Sequence, residues 1–246
     1  MKPKYLFMYF LNIMLFLSLS ILAGVPHSLY GQSQPVVIEN GYFKYVIGSD
    51  GQNLGFIDKK SGIDYYNKNE ALYCAKIKKD GKEYIVSSVT YNNSILKFTF
   101  ANSNITADIK AEIQNKYILL EVLSVKGGDI ESLTFINMPL TLKGIPNEPY
   151  AACVISLSLF TRVDHLPALQ TNLHASCQKQ FGIVGARAAL IGVPQSEILP
   201  AIKDAMGNAK DMPNYTAGSA WAKDNPYGYG SYLFNFGSLT EENVDE

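Results

Sequence analysis

Four residues in one stretch have the types needed to hold a polyhydroxylated ligand: Arg162, Asp164, His165 and, nine positions on, His174. Guanidinium, carboxylate and imidazole groups pair with hydroxyls as donors, acceptors or both, and a loop between two strands could present them together. A solvated loop with a local salt bridge explains the same residues, since Leu159-Phe160 precedes them and Pro167 follows. Two histidines with no third ligand at a recognised spacing give little support for a metal site. A second candidate is Trp221, the only tryptophan, with Tyr215, Tyr227, Tyr229 and Tyr232 around it. Aromatic faces stack on sugar rings, yet packing of a linker uses the same residues. Other chemistry has less support. Gly182 to Gly185 lacks the spacing and ending of a phosphate loop, and no serine lies in a GxSxG elbow.

The elements that must position these residues read as β. Thr106 to Ile113 alternates, with Ala107, Ile109, Ala111 and Ile113 on one face and Thr106, Asp108, Lys110 and Glu112 on the other. Leu96, Phe98 and Phe100 repeat the pattern. Tyr117 to Val125 is apolar at nearly every position, which predicts cover on both faces, as in stacked sheets. Turn signals punctuate these runs at Asp50-Gly51, Ser61-Gly62, Asp80-Gly81, Asn92-Asn93, Asn115 and Gly127-Gly128. Many short strands from Pro35 to about Ile191 predict a large antiparallel β-sandwich, mainly β in class.

The pattern then changes. Ile198, Leu199 and Ile202 have helical spacing within Ser196 to Met206, with Ser196 as N-cap, Pro200 in the first turn and Gly207 as the stop. A polar linker rich in Pro and Gly follows to Gly230. Tyr232 to Phe236 then reads as a strand, and Ser238 to Glu241 as a capping box opening a helix. Strand, loop and capped helix form a β/α unit that reaches only its first turns by Glu246, and the expectation is a fragment of a longer protein.

The N-terminus reads as an export signal: Lys2 and Lys4, then uncharged Leu6 to Gly24, then Pro26, Ser28 and Gly31. Cleavage is expected near Gly31 or Gln32, leaving no stable membrane span; a retained anchor is the other reading. The expected organisation is a signal peptide over 1–31, a sandwich over 32–194, helix and linker over 195–230, and the start of a truncated barrel over 231–246. The destination is periplasmic or extracellular.

Charge and cysteine usage exclude further classes. The chain of 246 residues is 47% hydrophobic and 17% charged, with net charge −1. Without Lys2 and Lys4 the balance is 19 basic against 22 acidic residues, a net −3. No field of that size attracts a polyanion, so no nucleic-acid partner is expected. Cys74, Cys153 and Cys177 are too few for a disulfide framework; a Cys153–Cys177 bridge and buried free thiols are both open.

The segments Phe181-Gly-Ile-Val-Gly-Ala-Arg-Ala-Ala-Leu-Ile-Gly-Val-Pro194, Gly218-Ser-Ala-Trp-Ala-Lys223 and Gly230 to Glu246 resemble a family of exported bacterial glycoside hydrolases. Gly55 to Gly62 is similar to the opening hairpins of its sandwiches. In that family a galactose-mutarotase-like β-supersandwich precedes a (β/α)8 barrel similar to clan-D or family-31-type α-glycosidases. The resemblance implies hydrolysis of a glycosidic bond by two barrel carboxylates, without an organic cofactor. Those carboxylates would stand on later barrel strands, outside this sequence. Asp224, Asp245 and Glu246 near the barrel start are not assigned to them, the last two being placed where a helix dipole favours negative charge. Catalytic residues are therefore none, and the glycan contacts implied are Arg162, Asp164, His165, His174 and Trp221. Mutarotase chemistry in the sandwich has thin support, with only His165 and His174 after the signal. The alternative is a stand-alone exported carbohydrate-binding or adhesion module.

Overall fold

The computed structural model describes residues 34–145, 147–163 and 171–209. The signal segment, Asp164, His165, Trp221, most of the linker and the β/α start lie outside them. Among the described residues no helix is long and apolar enough to cross a membrane.

Three strands form a small antiparallel sheet: β1 (Val36–Glu39), β2 (Phe43–Ile47) and β3 (Asn53–Asp58). Ten more form one large sheet: β4 (Lys76–Lys79), β5 (Lys82–Asn92), β6 (Ile95–Phe100), β7 (Thr106–Ile113), β8 (Tyr117–Lys126), β9 (Ser132–Pro139), β10 (Tyr150–Ser156), β11 (Thr161–Arg162), β12 (Asn172–Gln178) and β13 (Arg187–Pro194). Their spatial order is β10-β13-β8-β7-β6-β5-β4-β9-β12-β11, with antiparallel pairing throughout. The mainly β reading is borne out.

Local chemistry explains the hairpins. Asp80 and Gly81 sit at φ 50° and 73°, the two left-handed residues of a two-residue turn between β4 and β5. Asn93 and Ser94, at φ 50° and 62°, do the same between β5 and β6. Strand β5 is the hinge of the large sheet. Lys82 to Ile85 pairs with β4, Val86 to Asn92 pairs with β6, and a bulge between Val86 and Ser88 bends the strand where it changes partner.

The large sheet must curl back on itself. Strands β10 and β11 lie at its opposite ends yet are separated by only Leu157 to Phe160, a connection that reaches about 18 Å at most. Hydrogen bonds stitch the closure. The Arg187 N–H on β13 is shared between Thr161 Oγ1 on β11 at 2.8 Å and Ser158 Oγ at 3.1 Å, and Leu157 N–H donates to Arg187 O at 2.9 Å. Ser158 and Thr161 are both buried, so these bonds supply partners that water cannot.

The small sheet joins the large one through Asn53. Its Oδ1 accepts from Tyr45 Oη at 2.7 Å, and its Nδ2 donates to Leu72 O at 2.7 Å and Asn137 O at 2.8 Å. The core within the curl takes Phe43 and Phe56 from the small sheet and Phe98, Ile109, Leu120, Leu133 and Leu173 from the large one. A second, smaller core lies on the outer face of β8 and β13. There α1 (Ile198–Met206), preceded by a 3-10 turn (Gln195–Glu197), lays Ala201 and Ala205 over Tyr117, Leu119, Ala189, Ile191 and Val193.

Several expectations need correction. Two-sided burial of β8 holds from Tyr117 to Leu120, but the second cover is a helix; a helix of nine residues stops short, so beyond it only the inward Val122 is buried and Leu123 is exposed. Ile113 is exposed at the end of β7 although Ala107, Ile109 and Ala111 are buried. Leu199 faces solvent, because alanines let α1 approach the sheet and leave its larger residues at the flanks. Ser196 does not cap: Glu197 holds the N-cap position without a side-chain bond. Gly207 ends the helix in the right-handed region, at φ −57°, so its φ needs no glycine.

Candidate functional site

Two of the expected contact residues are brought to one face. Arg162 on β11 stands opposite Ser176 on β12, and His174 lies two residues along β12, opposite Asn137 on β9. Cross-strand partners, and residues two apart, share a side of a sheet. Arg162, Ser176 and His174 therefore face away from the core, which takes Leu173, Ala175 and Cys177. Arg162 is exposed and His174 half-buried, and both are engaged in contacts. Asp164, His165 and Trp221 lie outside the described residues.

Around Arg162 the surface forms a hollow of about 480 Å³, bordered by Phe160, Thr161, Gln178, Gln180 and Phe181. Phe160 is 37% and Phe181 61% exposed, unusual for rings of that size in a chain with a well-filled core. The glycines of the 182–185 loop explain how Phe160 is held. Gly182, at φ +116°, would place a Cβ only 3.3 Å from the Phe160 ring, and Gly185, at φ +89°, one at 4.0 Å. Only glycine takes that backbone path without strain, so the loop is a seat for an aromatic ring. Next to the hollow, Lys78, Glu131, Ser132 and Lys179 border a second depression of about 650 Å³, and Gln178 and Gln180 belong to both.

The polar groups along this surface are set in place by short bonds. Gln180 Nε2 donates to Gln178 Oε1 at 3.0 Å. Glu131 Oε1 accepts the Gly81 N–H at 2.6 Å, and its other oxygen lies 3.3 Å from Lys78 Nζ. Lys179 Nζ reaches Asp129 Oδ2 at 2.7 Å. The Gly81 amide holds the Glu131 carboxyl below its ordinary value, and the Lys179 ammonium does the same for Asp129. Both stay ionised at neutral pH, whereas a glycosidase acid must hold its proton there. The arrangement suits holding a ligand: two ring faces, two amides and one guanidinium in a shallow hollow.

Phe160 and Phe181 were not among the residues singled out. Their signal in the sequence is slight: each is a large ring in a polar, turn-rich stretch where strand alternation offers it no core position.

The thiols are structural. Cys74, Cys153 and Cys177 are free, so the possible Cys153–Cys177 bridge is not formed. Burial pushes Cys153 and Cys177 up to about 12 and Cys74 further, which leaves all three protonated and poorly nucleophilic. Among the described residues no group of three His, Cys, Asp or Glu side chains could hold a metal ion.

No protein-family model matches the chain, and no curated protein does. Among solved structures, the chain is similar to a galactose mutarotase-like protein from Lactobacillus casei ATCC 334, at 15% identity and a TM-score of 0.29, over 71% of this chain and 70% of that one.

Proposed function

We propose that this chain is the non-catalytic β-sandwich of an exported glycoside hydrolase and that it holds glycan at the hollow between Phe160 and Phe181. The observation that carries the reading is the pair of exposed rings flanking Arg162, Gln178 and Gln180. A pyranose offers the complementary surface, with C–H groups for a ring face and hydroxyls at its edge for amide and guanidinium donors. The glycosidase context rests on the resemblance of Phe181 to Pro194, a stretch that contributes Phe181 to the hollow and all of β13. Export rests on the N-terminal residues up to Gly31. No carboxylate borders the hollow among the described residues, and Glu131 in the adjoining depression is held ionised, so no proton-holding acid stands there to support cleavage.

The test is a glycan array followed by titration of the best ligand into the wild type, Phe181→Ala and Arg162→Ala. Phe181→Ala is expected to bind about five- to tenfold more weakly, a loss typical for one stacked ring, and Arg162→Ala about tenfold or more, as for one hydrogen bond to a charged group. A release assay on the same glycan should show no cleavage. Failure of every glycan to bind, unaltered affinity in both variants, or efficient hydrolysis would each overturn the proposal.

A further inference from the structure

The row of side chains that the large sheet presents beside the Phe160 hollow is longer than one sugar ring, and strand pairing fixes it. Gln178 on β12 stands opposite Ser132 on β9, and Ser132 opposite Lys78 on β4. Their chain neighbours Cys177, Leu133 and Ile77 are buried in the core, so Gln178, Ser132 and Lys78 share the outer face. Phe160 immediately precedes β11, whose Thr161 stands opposite Cys177, and this sets the ring in line with Gln178. The row crosses β11, β12, β9 and β4 in their spatial order. Three spacings of about 4.8 Å make it roughly 14 Å long.

The surface along this row is open and continuous, since the two depressions of about 480 and 650 Å³ share Gln178 and Gln180. Its chemistry changes from one end to the other. The β11 end offers the faces of Phe160 and Phe181, the middle offers amides and the Ser132 hydroxyl, and the β4 end offers the ammoniums of Lys78 and Lys179. One carboxylate orients each ammonium: Glu131 lies 3.3 Å from Lys78 Nζ, and Asp129 lies 2.7 Å from Lys179 Nζ. An ammonium carries three N–H donors, so a single ion pair leaves others for a ligand. The two lysine side chains are 48% and 61% exposed, which keeps those donors within a ligand's reach. A single pyranose spans little more than one strand spacing and covers the rings or the ammoniums, not both. We propose, resting on the reading that the Phe160–Phe181 hollow holds glycan, that the ligand is a linear oligosaccharide of at least three units laid across β11, β12, β9 and β4. One sugar ring stacks at the aromatic end, and the hydroxyls of the far unit accept from Lys78 and Lys179.

Chain length is the readout. The native chain would be titrated calorimetrically with linear α-1,4-glucose, β-1,4-glucose and β-1,4-mannose oligosaccharides of one to five units. In at least one series affinity is expected to rise about tenfold or more between two and four units, the gain of two or three added hydrogen bonds. A fifth unit, beyond the end of the row, should add less than about twofold. The double variant Lys78→Ala with Lys179→Ala should bind the tetrasaccharide about fivefold or more weakly and the disaccharide as the wild type does. Phe181→Ala should weaken both ligands by the same factor. The double variant should melt close to the wild type, since exposed ion pairs contribute little to stability. Equal affinity for two and four units, with both weakened by Phe181→Ala, would leave glycan in the hollow and overturn the longer ligand. A length dependence that survives in the double variant overturns it as well. No binding in any of the three series overturns it too, and an empty glycan array would remove the hollow with it.

Discussion

The two flanks of the large sheet make a natural comparison. At the β8–β13 flank the outer face is dry, with Leu119, Ala189, Ile191 and Val193 buried beneath Ala201 and Ala205 of α1. At the β11–β12 flank the outward residues are exposed Arg162, half-buried His174 and Gln178, and buried Ser176, and the rings beside them, Phe160 and Phe181, are exposed. Both flanks belong to one antiparallel sheet, and their inner residues meet in one core. What differs is the outer cover. Apolar side chains that find a cover become structure, whereas a ring held at the surface by glycines, as Phe160 is, remains free to meet a ligand.

The sharpest way to break this comparison is to open the dry flank. Leu119→Ala removes side-chain volume under α1 and is expected to lower unfolding free energy by about 2–4 kcal/mol, measured by urea denaturation. A loss below about 1 kcal/mol would mean that α1 does not form a core with the sheet. Next in size is the closure of the curl. Thr161→Val leaves the Arg187 N–H with only the longer bond to Ser158, and is expected to cost about 1–2 kcal/mol. Unchanged stability would show that closure does not depend on these bonds.

Alkaline pH provides a smaller, graded effect. Burial keeps Cys153 and Cys177 protonated up to about 12, while an unfolded chain ionises its thiols near 9.0. The folded state then binds more protons than the unfolded one, so stability falls as pH rises between these values. Cys177→Ala should flatten that slope in melting curves taken from pH 8 to 11; a slope identical to the wild type would contradict the assignment. The smallest effect belongs to the wet flank. Phe181→Ala should change unfolding free energy by no more than about 0.5 kcal/mol, since an exposed ring removes little area from water in the folded state. A cost like that of Leu119→Ala would make Phe181 a core residue and remove the contrast.

The sequence by itself determined what is local. Asp80-Gly81 announces a two-residue turn because few other residues accept two successive left-handed φ values. The alternation of Ala107, Ile109 and Ala111 announces a one-sided strand, and the continuous apolar start of β8 a two-sided one, because side chains point to opposite faces at a period of two. Tertiary structure decided what covers each face. Nothing in Tyr117 to Leu120 specifies a helix in place of a second sheet; that depends on three alanines some 80 residues away, Ala201, Ala205 and Ala209, being small enough to dock. Arg162 and His174 were legible as polar groups near one another. That Phe160 and Phe181 flank them was not, because pairing of β11 with β12 and the glycine seat beneath Phe160 join positions 21 residues apart. Long-range pairing is fixed by burial and hydrogen-bond satisfaction over the whole sheet, and a local pattern carries no record of which distant strand supplies it.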